Sequence, residues 1–550
     1  MFNWLQEKSR QFSDRIYLLD PTRSVTYKEN FETIKKIMGR LKSISPQGKV
    51  VFIGPGSIEV YQLYFAVTAL NAIWIPIDYR FDRDFINEIL TKLEPSLVIY
   101  DSTFFDLESI LPNLSFQNTK LTTIFQNLAS QEECIFVEEM SDPIISAYLT
   151  SGSTGTCKIV LHRLKATLEH AKATADRYPF TAESRLFNPR HIFHVSGAFP
   201  LTTLMECGGC IVIPASTSYE NLNGESMNDW ADVMFRNNVT HASFFPAEMY
   251  AYTRFIARSP ELKPPKFQRI TTGGEVIEFT DLVSTARVFA ENRYLYDFLW
   301  WVYPYLGDGI LFALFNRVYE VLYNQTVQIT TTYGATELIC NAIANDSRSG
   351  PDPRGSGIAL GSLKAIIVDE QGKELPHDGI SVGRLEFSGD SIASGYLVPN
   401  EEVLHPHFYR TNDLAAISPN GRVTFYGRVD DLITLPGIEN KINPVILQRE
   451  INKTPGIQAS IVFAHHNKLH AAIKIMAGAN QDTIIQSIKN NSKLSLIATT
   501  SFWEVFPHLS GGKTDKKSIM DSIDQGKAPT IVIDSSEQTL NSRMSFCNIF

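Results

Sequence analysis

At 550 residues, with 44% hydrophobic and 20% charged side chains, the chain is too long for one core and too apolar to be disordered, so roughly two to four folding units are expected. Its net charge of −9 argues against a nucleic-acid binder whose affinity rests on phosphate contacts. The six cysteines (Cys134, Cys157, Cys207, Cys210, Cys340 and Cys547) show no framework spacing and no signal peptide precedes them, so reduced thiols in a cytoplasmic setting are expected.

In chain order, Ser24 to Lys28 leads into an amphipathic helix. Val50 to Ile53, Ala72 to Ile77 and Ser96 to Tyr100 read as buried strands around the apolar helix Val60 to Leu70. Continuously apolar strands separated by a helix imply a parallel α/β sheet. The short strand Ile144 to Leu149 then runs into Thr150-Ser151-Gly152-Ser153-Thr154-Gly155, and Lys158 follows before a second apolar run, Ile159 to Leu161. Glycines let this backbone approach an anion closely, its amides and hydroxyls supply donors, and Lys158 adds a full charge, so the loop reads as a nucleotide-phosphate loop. It lacks the Gly, four residues, Gly-Lys-Ser/Thr spacing of the common phosphate-loop signature.

A helix is expected from Leu164 to about Arg177. His194 follows in an apolar setting with Gly197 three positions on, as at the mouth of a pocket; the other reading is a satisfied core histidine. The pair Cys207 and Cys210 has redox or metal spacing but no second pair nearby, which favours a structural role. Ala242 to Pro246 and Ile270 to Glu275 each end an apolar strand at small or turn-forming residues, and ligands in α/β folds sit at such carboxyl ends.

Residues 281–325 hold two aromatic-rich runs joined by Gly307-Asp308-Gly309. Neither reaches the ~20 uninterrupted apolar residues of a membrane span, so a helical hairpin is expected. It either packs on its host or offers a membrane-surface or partner patch at 294–323. Thr331 to Glu337 comes next, then strand patterns at Ala365 to Val368 and Arg384 to Phe387, which suggest an antiparallel β region. Gly421 to Asp431 reads as a hairpin ending in a charged joint. From there the pattern resets to a small α+β unit, with Pro444 in the first turn of a helix and Gly512-Lys513 near its end. Pro507 stands where a phosphate loop needs its first glycine, so a mobile loop delivering one lysine is the reading.

Taken in order, the loop Tyr148 to Lys158, the Tyr333-Gly334-Ala335-Thr336-Glu337 motif, Asp413, Gly427 to Asp431 and Gly512-Lys513 resemble the adenylate-forming superfamily of acyl- and aryl-CoA synthetases, nonribosomal peptide adenylation domains and luciferases. The resemblance implies a large α/β domain at 1–428 with parallel-rich sheets, a β-barrel-like part and the insertion 281–325. A small mobile α+β domain at 429–525 and a polar tail at 526–550 would follow. It implies attack of a carboxylate on ATP to give an acyl adenylate, then a thioester on CoA or phosphopantetheine, with an acyl carrier protein as a possible partner. The loop Thr150 to Gly155 and Lys158 would hold the outer phosphates, Thr336 the α-phosphate and Glu337 Mg²⁺. Tyr333, Gly273, Gly274 and Glu275 would enclose adenine, Asp413 with Arg428 would take the ribose, and Asp430 would be the hinge. Lys513 would bridge carboxylate and α-phosphate. Amino-acid-activating members carry aspartate where His194 stands, which favours a fatty or aryl acid, with His194, Val195, Gly197, Ser243, Phe244 and Phe245 in or near its pocket. The chain departs from the family at Cys157-Lys158-Ile159 for Pro-Lys-Gly, at Asn412 for glycine, and at Thr434 for the lysine after the hinge.

Overall fold

Apolar runs bounded by turn residues become the inner strands of two large sheets, and the core lies between them. The computed structural model describes residues 1–105, 107, 116–135, 140–150, 158–215, 224–259, 261–262, 265–274, 277, 279–290, 294–302, 308–322, 327–345, 357–398, 401–404, 407–438, 441–476, 478–504, 506–507, 515–528 and 530–533. Among these residues the strands form four sheets. The helix Ile58–Ala69 is apolar on every face and accordingly buried, and the Ser57 side chain caps it by accepting from Val60 N at 3.3 Å. It shares one core with the helices Tyr27–Arg40 and Val195–Cys207 and with strands of both large sheets, including Leu18, Val50, Trp74 and Ile211.

The first large sheet has eight strands. Lys49–Ile53 is flanked by Ile73–Ile77 and Leu97–Tyr100 in parallel, and Ile144–Thr150 extends it. The strand leaving the Gly/Ser loop, Lys158–Arg163, returns antiparallel to Ile144–Thr150. Gly395–Val398 then pairs with it antiparallel, setting Tyr396 opposite Val160. The loop therefore joins two neighbouring strands of one hairpin.

In the nine-stranded second sheet, His241–Phe244, Arg269–Gly273 and Gln328–Gly334 run parallel and side by side. Their carboxyl ends converge, with Phe244 beside Thr272 and Gly273 beside Thr332. The expected β-rich part is a four-stranded antiparallel sheet of Lys364–Val368, Gly383–Ser388, Phe408–Ile417 and Val423–Arg428. The last sheet, with Ile457–His465, Lys468–Ile475, Ile497–Trp503 and Ile531–Val532, has its own core of Leu447, Ile451, Ile473, Ile484 and Ile497.

The aromatic segment forms the helices Tyr294–Val302 and Asp308–Val321. One face is host core: Tyr296, Leu299, Phe315 and Tyr319 are buried with Tyr252 and Phe289. Tyr319 donates to Val327 O at 3.2 Å and accepts from Ile329 N at 2.7 Å, tying the hairpin to the strand that carries the Tyr333 motif. Tyr294, Phe298 and Trp301 remain exposed. No helix of the described residues is long and apolar enough to cross a membrane. Burial raises the thiol pKa of Cys207 to about 11 and of Cys210 to about 12, which keeps both protonated and unreactive.

Candidate active site

The side chains expected around a nucleotide come from three sheets, and polar contacts hold them. The Tyr333 hydroxyl donates to Asp413 Oδ2 at 2.6 Å, and Arg428 Nε lies 3.8 Å from Asp413 Oδ1. Asp413 and Arg428 are register partners on adjacent antiparallel strands, so backbone pairing brings the two charges together. Burial raises the Asp413 carboxyl above the usual range, while the Tyr333 hydrogen bond and Arg428 act the other way. The Tyr333 ring stacks on Phe425 at 4.2 Å. Gly273 lies against this strand so closely that a Cβ would sit 2.2 Å from Thr332 O. Gly274 follows at φ 91°.

Thr336 and Glu337 lie on the short 3₁₀ turn Thr336–Leu338. His162, buried and with its pKa lowered to about 4, donates from Nε2 to Thr336 O at 2.8 Å. The strand leaving the Gly/Ser loop thus fixes the turn that carries Glu337. The same strand sets Tyr396, whose hydroxyl donates to Glu337 Oε1 at 2.8 Å and whose ring lies 4.9 Å from Lys158 Nζ. Tyr409 lines the same cavity; burial and Glu337 raise its pKa, so it stays a donor. Glu337, Ile392, Tyr396, Phe408, Tyr409 and Arg410 line a cavity of about 350 Å³. Glu337 places an anionic oxygen donor on the wall of this largely apolar cavity, and such a donor suits a hard cation such as Mg²⁺.

The acid-side residues are held differently. His194 stands at the N-cap of Val195–Cys207 without capping it through its side chain. Burial lowers the His194 pKa to about 4, against the opposing charge of Asp78, and lowers that of His191 to about 3. His191 stacks on Phe193 at 4.7 Å, and Arg80 binds Asp78 through two hydrogen bonds at 2.8 and 2.6 Å. A Cβ on Gly197 would fall 2.0 Å from His191 O, so only glycine fits. Phe245 lies under Arg190, 3.9 Å from ring centre to guanidinium, and beside Gly274. Ser243 and Phe244 are consecutive strand residues and must face opposite sides. Phe244 goes into the host core, stacked on Trp230 at 5.9 Å, so the pair does not jointly line one pocket.

At the joint, Asn412 donates to Asp430, and Lys516 lies 3.4 Å from Asp431. The family departure at Asn412 is therefore a side chain bonded to the expected hinge residue. Ser151, Gly152, Ser153, Thr154, Gly155, Glu275 and Lys513 lie outside the described residues; Thr150 and Lys158 flank the loop as register partners. The sequence reading passed over Tyr396, Tyr409, Arg190 and Glu248. Arg190 and Glu248 carry the one signal available, charges set close to apolar strand ends. They are 7% and 3% exposed with Nε and Oε2 3.9 Å apart.

The family model of the AMP-binding enzymes matches residues 5–397. The chain is similar to a linear gramicidin synthase of Brevibacillus parabrevis, 22% identical over 94% of this chain, which spans only 9% of that relative's length. Its fold is that of ATP-bound MatB from Rhodopseudomonas palustris, at TM-score 0.72 and 19% identity over 95% of this chain and 98% of that one. It is likewise that of the O-succinylbenzoate coenzyme A synthetase (MenE) of Bacillus subtilis in complex with ATP and magnesium, at TM-score 0.69 and 17% identity over 93% and 98% of the two chains. With the family model covering most of the chain and the fold shared over 95% of it, the chain belongs to the AMP-binding enzyme family of the adenylate-forming superfamily.

Proposed function

We propose that the chain activates a carboxylic acid without an α-amine, fatty or aryl, as its acyl adenylate at the expense of ATP, then transfers the acyl group to a thiol of CoA or of a carrier-protein phosphopantetheine. The observation that carries this is the cluster in which Tyr333, Asp413 and Arg428 meet beside the Glu337 cavity. A ribose needs an acceptor for its two hydroxyls, and Asp413 supplies one held in place by a phenol and a guanidinium. Tyr333, stacked on Phe425, would offer its ring to adenine.

The reaction brings two anions together, so it needs aimed positive charge and donors more than proton transfer. Lys158 and Thr150 at the ends of the Gly/Ser loop would take the outer phosphates and Thr336 the α-phosphate, with Lys513 bridging the carboxylate and α-phosphate. Glu337 would hold Mg²⁺, which neutralises phosphate charge when bound. His194 is kept neutral by burial and can accept or donate one hydrogen bond near the acid. Asp78, whose charge acts on His194, is already engaged by Arg80, which disfavours its capture of an α-ammonium. Asp430 would be the turning point of the small domain.

Carboxylate-dependent ATP/pyrophosphate exchange across fatty, aryl and amino acids tests this reading. Exchange with a fatty or aryl acid supports it, exchange with amino acids alone moves the substrate class, and none at all defeats it. Lys513→Ala should abolish adenylation in a protein that melts like wild type. Supplying CoA or a carrier protein separates the acceptors. Replacing the exposed Tyr294, Phe298 and Trp301 by serine, which leaves the core face of the hairpin intact, tests the membrane patch, which unchanged vesicle partitioning would remove.

A further inference from the structure

The small C-terminal sheet carries a cluster that the adenylation reading does not use. The strands Ile457–His465 and Lys468–Ile475 pair antiparallel, with His465 opposite Lys468. His466 and Asn467 form a two-residue turn with φ 48° and 59°, the left-handed pair of a type I′ hairpin. Consecutive strand residues point to opposite faces, but the left-handed step at His466 breaks that alternation. It brings the two imidazoles together, with ring centres 4.0 Å apart.

Asp524 completes the group from another element. It is the last residue of the helix Lys516–Asp524, which Ile519 anchors in a small core with Ile461, Phe463 and Phe506. Asp524 Oδ1 lies 3.0 Å from His465 Nε2 and 3.0 Å from His466 Nε2, and ligand atoms of all three residues lie within 4.8 Å of one another. His465 Nε2 is buried and, despite its nearness to the carboxylate, lacks the geometry of a hydrogen bond. His466 has 76% of its side chain exposed and leaves the cluster open to solvent.

From this geometry we infer that His465, His466 and Asp524 form a binding site for a divalent transition-metal ion of the zinc class. Two imidazole nitrogens and a carboxylate oxygen are ligands that zinc accepts, water supplying the fourth. At bond lengths of about 2.0–2.2 Å, a tetrahedral ion needs its ligand atoms about 3.3 Å apart, so the observed 3.0 Å asks for only a small spreading. Magnesium and calcium prefer oxygen shells and bind poorly here. The bound ion ties the end of the helix that follows the Lys513 segment to the hairpin tip. It uses no residue assigned to adenylation, so it stands or falls separately from that reading.

Titrating the untagged full-length chain with Zn²⁺ against a chromophoric chelator, in magnesium-containing buffer, tests the site. The expected result is one Zn²⁺ per chain, with affinity falling at least tenfold in both His466→Asn and Asp524→Asn. Asparagine suits the left-handed turn, so His466→Asn removes a ligand without removing the hairpin. Zinc should raise the melting temperature of wild type and not of the double variant, and the two should melt alike in chelator. Wild type binding no more zinc than the double variant would overturn the proposal.

Discussion

Around Asp413 a phenol and a guanidinium, from strands of two sheets, all aim at one carboxylate. Around His194 the neighbours are rings and tight backbone: His191 on Phe193, Arg190 over Phe245, and Gly197 against the His191 carbonyl. The first wall is directional, and each contact requires one residue type at one place. The second is set by shape and burial, where, Gly197 apart, many residue types could serve. A nucleotide common to a whole family suits the first construction. A variable acid suits the second, because packing can be retuned without dismantling polar contacts.

Breaking the directional wall should cost most. Asp413→Ala strips Tyr333 and Arg428 of their shared acceptor, and kcat/KM for ATP should fall roughly hundredfold, about 3 kcal/mol, with the fold retained. A smaller loss measured by pyrophosphate exchange would mean that the cluster is structural. Tyr333→Phe removes one hydrogen bond to a charged acceptor, worth about 1.5–3 kcal/mol, and should raise the KM for ATP by roughly tenfold or more while leaving the KM for the acid unchanged. Gly197→Ala attacks the packed wall instead. Relieving the clash should cost about 1–3 kcal/mol in denaturant unfolding and raise the KM for the acid more than that for ATP. Equal effects on both substrates would erase the distinction between the walls.

Acid should produce the smallest effect. His191 and His194 have folded pKa values lowered to about 3 and 4, so the unfolded chain binds their protons more readily. Their contribution to stability is complete above about pH 6.5 and is lost as pH falls towards 4. The melting temperature should decline over that window and less steeply in His194→Gln. An identical slope in the variant would show that His194 is not its source.

Much of this was legible in the residues. Leu164–Arg177 is a helix at the limits its periodicity predicts, and Lys49–Ile53, Ile73–Ile77 and Leu97–Tyr100 are the buried parallel strands their apolar runs imply. Tyr396 was not legible, because it acquires its role only from a partner far away in sequence. Tyr396 matters because strand pairing sets it opposite Val160 and near Glu337. The same limit hid the destination of Phe244, since alternation says that Ser243 and Phe244 face opposite ways but not which face is core.

By itself the sequence determined the element types, the family and the residues able to carry charge to a phosphate, because hydrophobic period and motif spacing are local properties of the chain. Tertiary structure alone decided which of those residues share an acceptor and that His465 and His466 face Asp524. Those outcomes depend on strand register and packing between distant segments, where one residue of slip would turn every side chain to the other face.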